Sequence, residues 1–242
     1  KLDISYGKTE KQKLDFFPTN KKQSPTLIFF HGGYWQRGDK SVYSFLAKPF
    51  VKNEINLIIV GYDLCPRISI TGIVKQSREA LIWIWKNSKE LGLSKESLFV
   101  SGHSAGGHIT GMIMSTNWNL LSKDLPVDLV KGGIPISALN LLEPILFTSI
   151  NNALKMNLEE AKLQSPIFFE PVTNAPQLIV CGEKETDEFH RQSNIYFDKF
   201  LTPKRKLERY NVLNADHFDE INNLSSEENV FFQKIKLFIS KT

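Results

Sequence analysis

Cysteine is scarce in this sequence: 242 residues include only Cys65 and Cys181. Two thiols, each beside an apolar strand-like run, give neither a disulfide framework nor a metal-ligand spacing, and they read as small buried side chains in a reducing compartment. Long apolar runs are lacking too. No stretch approaches the roughly 18 residues that span a bilayer, and the opening KLDISYGKTEKQ has no signal-peptide hydrophobic region. The expectation is a cytoplasmic protein with no membrane attachment, for a chain that starts at Lys1 without a methionine and from which a leader could have been removed. Charge of one sign is also missing. Lys and Arg number 30 against 26 Asp and Glu, a net +4, and the densest basic run is Lys204-Arg205-Lys206. That describes a solvated face and argues against nucleic acid as a partner. Neither HExxH nor HxxxH occurs, so no zinc-hydrolase pattern is present. Internal repeats and low-complexity tracts are absent.

What remains is a chain with 41% hydrophobic residues, long enough to bury one large core, so a single domain over 1–242 is expected. Thr26–Phe30 (TLIFF), Leu57–Gly61 (LIIVG), Leu98–Ser101 (LFVS), Gly133–Ser137 (GIPIS) and Gln177–Cys181 (QLIVC) are apolar on consecutive positions. Parallel strands covered on both faces need that pattern. Between them, Ile73–Leu91 has helical period, with Val74, Ala80, Leu81, Trp83, Ile84 and Leu91 on one face and Lys75, Arg78, Glu79, Lys86 and Lys89 turned away. Ser41–Val51, Ser104–Ser115, Phe189–Leu201 and Glu227–Ile239 are the other predicted helices. Alternating strands and helices predict an α/β fold with a doubly wound, mostly parallel sheet. Leu2–Tyr6 and Lys13–Phe17 would add a pair of strands, and Lys206–Val212 a last one. Residues 138–172 are too apolar for a linker and too long for an ordinary loop; they predict a helical, cap-like insertion over the C-terminal edge of the sheet, where it could roof a pocket.

The stretch Val100 to His108, VSGHSAGGH, carries the chemistry. Ser104 lies in Gly102-x-Ser-x-Gly106, after a strand and before a helix, the setting of a nucleophile elbow. The helix N-terminus would turn backbone N–H groups toward a developing oxyanion. Directly after TLIFF comes HGGYWQ, whose paired glycines allow N–H groups to approach a ligand closely. Gly33 and Tyr34, with Ala105 after the nucleophile, are the predicted oxyanion donors.

Of five histidines, His217 fits the general base: it follows the last strand, in the loop that opens at the same sheet edge as the elbow. His31 would order the oxyanion loop, His103 and His108 are too local to the elbow, and His190 starts a helix. The acid must come from Gly182–Glu188, after QLIVC. Glu185 clears the strand end and turns back toward the histidine, whereas Asp187 and Glu188 suit a first helical turn. Glu185 is the favoured acid and Asp187 the alternative; either would hold the imidazole and stabilise its charged form.

HGGYWQ, GYDLCP (Gly61–Pro66), GHSAGGH, EFHRQS (Glu188–Ser193) and DHF (Asp216–Phe218), with LDISYG and LDFFP near the start, resemble the α/β-hydrolase superfamily. Within it they are similar to the serine-dependent kynurenine formamidase and esterase group related to hormone-sensitive lipase. The resemblance runs over nearly the whole chain. It implies an α/β-hydrolase fold and a Ser104, Glu185, His217 triad with no metal or organic cofactor. Two departures stand out: Glu occupies an acid position where many hydrolases have Asp, and the N-terminal segment that caps the pocket in many relatives is short or absent.

The expected activity is acyl transfer on a small carboxylic ester or aryl formamide. Tyr34, Trp35 and Phe218 are candidate substrate contacts, with Phe189 nearby in sequence; aromatics also simply pack around hydrolase elbows. No residue declares itself a partner for an amino-acid carboxylate. A different class of reading is a non-catalytic α/β-hydrolase fold used for ligand binding or interaction, but such proteins typically lose a triad member and every role here is filled.

Overall fold

A computed structural model describes residues 1–242. Its strands are β1 (Ile4–Ser5), β2 (Lys13–Phe17), β3 (Thr26–Phe30), β4 (Asn56–Val60), β5 (Leu98–His103), β6 (Gly132–Ile136), β7 (Gln177–Gly182) and β8 (Leu207–Val212). They form one sheet in the order β1-β2-β4-β3-β5-β6-β7-β8. β2 runs antiparallel to both of its neighbours, β1 and β4, and the remaining pairs are parallel. Every residue of β3 through β7 is buried, which is why their sequences are unbroken apolar runs and not alternating ones. β8, at the sheet edge, is largely exposed.

The chain leaves β3 for β4 on one side and returns across it to β5 on the other. β3 and β5 are therefore neighbours whose following loops diverge, the place where open α/β sheets bind ligands. Their register pairs Phe30 with Gly102, so HGGYWQ and HSAGGH leave adjacent strand ends at the same level. Helices Ile70–Lys86 and Ala105–Met114 cover one face of the sheet. Helices Ala47–Lys52 and Val230–Lys241 cover the other, the latter burying Phe231, Phe232, Ile235 and Ile239; burial of such side chains contributes roughly 1.5–3 kcal/mol each. No helix is long and apolar enough to cross a membrane.

Several element ends differ from the sequence expectations, each for a local reason. The helix expected from Ile73 starts at Ile70 because the Ser69 hydroxyl accepts from Gly72 N–H. It stops at Lys86, where the Asn87 amide turns back onto Trp83 O, and Ser88–Leu91 is a separate turn. Ser41–Val51 splits into a 3₁₀ segment, Lys40–Leu46, and a helix from Ala47; the Pro49 ring lacks an N–H and would clash with Phe45 O in one continuous α-helix. The helix expected at Phe189 begins at Asp187, and the C-terminal helix expected from Glu227 begins at Val230, capped by Asn229. The first strand shrinks to Ile4–Ser5, preceded by Asp3 at φ 56°.

The 138–172 insertion is helical in pieces: Glu143–Phe147, Asn151–Leu154, Leu158–Leu163 and Pro166–Phe168. Leu142, Ile145, Leu154 and Met156 join the core beside the Ile70–Lys86 helix. The EFHRQS stretch pins its start: Gln192 Oε1 accepts from the N–H groups of Asn140 and Leu141 at 2.9 and 2.7 Å, and Gln192 Nε2 donates to Leu141 O.

Candidate active site

Ser104 stands between β5 and the Ala105–Met114 helix at φ 57°, ψ −115°, a conformation that costs of order 1–3 kcal/mol for a residue with a Cβ. Its N–H donates to Ile136 O and its carbonyl accepts from His108 N–H, which hold the turn from both sides. The flanking glycines are steric necessities. A Cβ on Gly106 would lie 2.0 Å from Phe30 O, and one on Gly102 would lie 2.4 Å from Gly106 O.

Ser104 and His217 line one cavity of about 660 Å³. The His217 Nδ1 meets Glu185 Oε1 at 2.5 Å, with the Glu185 side chain almost wholly buried. Burial alone would push the Glu185 carboxyl up; the hydrogen bond and charge of His217 outweigh it, so the group sits below its ordinary range and stays ionised. Asp187, the alternative acid, lies exposed in the first turn of its helix. The His217 ring also packs on Phe189 and His103 at 4.7 and 4.4 Å between centroids.

The loop after β3 approaches the serine from the other side. A Cβ on Gly32 would come within 3.3 Å of Ser104 Cβ. Gly33 (φ 116°), Tyr34 (φ 49°) and Trp35 (φ 58°) all have positive φ, an arrangement that only Gly adopts without strain. The N–H groups of Gly33 and Tyr34 enter no backbone hydrogen bond, while Gly33 O accepts from both Gln36 and Arg37 N–H. The loop is braced at its root. The His31 ring stacks on Tyr62 at 4.2 Å, its Nδ1 contacts Gly32 O, and Tyr62 Oη donates to His31 O. Burial pushes His31 down to about 4, so it serves as a neutral bracket.

The BD-FAE family model matches residues 14–133. Kynurenine formamidase from Salmo salar is 32% identical over 231 residues, 92% of this chain and 76% of that protein. The chain belongs to the kynurenine formamidase family of α/β-hydrolases. An arylesterase from Saccharolobus solfataricus is 27% identical over 75% of this chain and 63% of its own. The inhibited crystal structure of esterase B from Lactobacillus rhamnosis shares the fold, with a TM-score of 0.82 at 15% identity over 100% of this chain and 87% of that one. As a member of this family the protein is a hydrolase of the esterase and formamidase type, not a non-catalytic binding module.

Within this formamidase-family fold one expected contact is corrected. Trp35 does not face the cavity: it is fully buried, and its indole N–H donates to His108 Nδ1 at 3.1 Å. His108 Nε2 in turn contacts Gln164 O at 2.6 Å, so Trp35 and His108 tie the loop after β3 and the Ala105–Met114 helix to the 138–172 segment. Tyr34 and Phe218 do line the cavity, Phe218 as an exposed rim. From the insertion, Ile150 reaches the wall.

The sequence reading missed Glu220. It is fully buried below His217, its Oε1 accepting from Ser137 Oγ at 2.7 Å and its Oε2 lying 3.4 Å from His103 Nε2. Burial, with the Glu185 charge, pushes Glu220 up to about 8, and burial pushes His103 down to about 3. Both are neutral at pH 7, so the contact is not an ion pair. His103, His217 and Glu220 bring one ligand atom each within 4.8 Å of the others, but His217 Nδ1 is engaged by Glu185 and Glu220 holds its proton.

Proposed function

We propose that the protein hydrolyses small aryl esters or aryl formamides through an acyl-enzyme on Ser104, with His217 as general base and Glu185 as its acid partner. The observation that carries this reading is the His217–Glu185 pair facing the same cavity as a serine held on a strained strand-to-helix turn. Ser104 Oγ attacks the carbonyl carbon as its proton passes to His217. The N–H groups of Gly33, Tyr34 and Ala105 receive the oxyanion. The carbonyl carbon then parts from the leaving oxygen or nitrogen, which takes the proton from His217. Water attacks the acyl-enzyme and gives a proton to His217; the acyl carbon then parts from Ser104 Oγ, which takes that proton back, and the acid is released, formate in the case of a formamide. Ionised Glu185 holds the imidazole through Nδ1 and balances its charge. In the free protein the Ser104 and His217 side chains share the cavity without a hydrogen bond between them; such contacts commonly tighten when substrate binds.

The 138–172 segment acts in this reading as a partial cap, contributing wall through Ile150. Cys65 and Cys181 are free and buried, their thiols pushed up by burial to about 11 and about 12, in keeping with a reducing, cytoplasmic setting and with no part in the chemistry. The test is kcat/KM for N-formyl-L-kynurenine and p-nitrophenyl acetate on one preparation, with Ser104→Ala alongside. Turnover that falls by roughly 10⁴ or more in the variant is expected, and the ratio of the two substrates separates formamidase from esterase. Near-normal turnover by Ser104→Ala overturns the proposal.

A further inference from the structure

The loop after β3 is costly to hold in place. Tyr34 and Trp35, at φ 49° and 58°, lie consecutively in the left-handed region, which residues with a Cβ keep only where the surroundings over-determine the backbone. The entrance and middle of the loop are fixed to the core: Tyr62 Oη donates to His31 O, Cys65 N–H donates to Trp35 O at 2.8 Å, and the Trp35 indole donates to His108. Its exit is held differently. Gly38 comes back against the entrance, where a Cβ on it would lie 2.8 Å from both Gly32 O and His31 Nδ1. A shift of residues 38–40 is therefore passed directly to Gly32 and Gly33. Behind this return lies a small cavity of about 230 Å³ with mostly polar walls, among them Asp3, Lys11, His31, Asp39 and Lys40. On that side the exit is held by charge.

The contacts lead to the β1–β2 hairpin. Lys40 is buried, and its Nζ donates to Asp15 Oδ1 on β2 at 2.7 Å and pairs with Asp3 Oδ1 at 2.9 Å. Asp15, itself buried, also accepts from Asp3 N–H at 2.8 Å, which ties the two acids together. Burial opposes a charge on Lys40, but the Asp15 and Asp3 carboxylates outweigh it and hold the ammonium above its ordinary range, so Lys40 stays charged. Lys11, between β1 and β2, adds a more exposed pair with Asp39 at 3.1 Å. A buried ion pair often adds no stability over apolar side chains of the same volume; what it can supply is a fixed register.

We infer that Lys40 is a positioning residue for the reaction: paired with Asp15, it straps the exit of the loop after β3 to the β1–β2 hairpin and keeps the Gly33 and Tyr34 N–H groups aimed at the oxyanion. This rests on the hydrolase reading above and deepens it, since it names what holds the donors that the reading invokes. Lys40 touches no substrate and acts only through the loop.

Two variants test it. Asp15→Asn keeps the shape and the acceptor for Asp3 N–H while weakening the hold on Lys40. The double variant Lys40→Met, Asp15→Asn removes both charges, so neither is left buried without its partner. For each, kcat and KM are measured on p-nitrophenyl acetate, with kcat expressed per Ser104 that a fluorophosphonate titrates, so that a misfolded fraction drops out. The second readout is Ki for trifluoroacetophenone: Ser104 Oγ adds to its carbonyl carbon, the serine proton passes to His217 and the carbonyl oxygen becomes an oxyanion, so binding draws on the same donors. In the double variant kcat should fall by roughly 10- to 100-fold and Ki should rise by a similar factor, while KM changes by no more than about twofold. Asp15→Asn should move kcat and Ki together in the same directions by a smaller factor, and it carries the test if the double variant gives no titratable serine. Wild-type kcat and Ki in Asp15→Asn, or a fall in kcat without a matching rise in Ki, overturns the inference while Ser104-dependent turnover leaves the hydrolase reading intact. A wild-type protein in which Ser104 neither titrates nor supports turnover overturns both.

Discussion

Glu220→Gln should stabilise the protein, and increasingly so as the pH rises. Glu220 is buried with a carboxyl pushed up to about 8, against an ordinary value of 4.5. Between those values the folded state holds a proton that the unfolded chain releases, so unfolding is favoured as pH increases. The stability associated with protonated Glu220 is complete below pH 4.5 and is lost progressively as pH climbs to about 8. One pKa unit is 1.36 kcal/mol, so the loss amounts to about 1 kcal/mol at pH 5 and about 3 kcal/mol at pH 7. Gln keeps the shape and the acceptor for Ser137 Oγ but cannot ionise in the unfolded state. Urea unfolding of wild type and variant, followed by tryptophan fluorescence at pH 5 and pH 7, measures the difference. The variant's advantage should widen by about 2 kcal/mol between the two. A difference that stays constant with pH would refute the reasoning, because it would mean that Glu220 does not change its proton affinity on folding.

Other perturbations separate chemistry from architecture. His217→Ala should lower kcat by roughly 10⁴, and Glu185→Gln by roughly 10³ or more, with little change in melting temperature; comparable activity of Asp187→Asn to wild type would accompany this, since Asp187 is exposed. Trp35→Phe should cost about 1–3 kcal/mol in a urea titration, since it leaves buried His108 Nδ1 without its donor. KM should barely change, because the indole lies outside the cavity; a large KM effect with unchanged stability would return Trp35 to the substrate.

What the sequence disclosed follows from how each feature is enforced. Strands buried on both faces must be apolar throughout, so TLIFF and QLIVC were legible, and the two glycines of GHSAG were legible because backbone oxygens lie where their Cβ atoms would be. That His217 and Glu185 come together was legible because strand order fixes which loops open together. Helix ends were harder: Ser69 as a cap and Asn87 as a stop depend on single hydrogen bonds that periodicity does not report. The insertion lacks a sustained period because its helical pieces are only one or two turns long. Glu220 was invisible for a different reason. In DHFDEINN it resembles an ordinary first-turn acid facing water, and only tertiary packing turns it inward onto Ser137 and His103. Trp35 misled in the opposite direction, its place beside the paired glycines of HGGYWQ suggesting substrate while its indole serves His108.

The central claim is that Ser104 is the nucleophile, and it is tested most directly by covalent labelling. The protein would be treated with a fluorophosphonate, and the adduct counted by intact mass and located by peptide mapping. One adduct is expected, on Ser104, lost in Ser104→Ala and formed far more slowly in His217→Ala. Stoichiometric labelling at another residue, or none on an enzyme that turns substrate over, would contradict it.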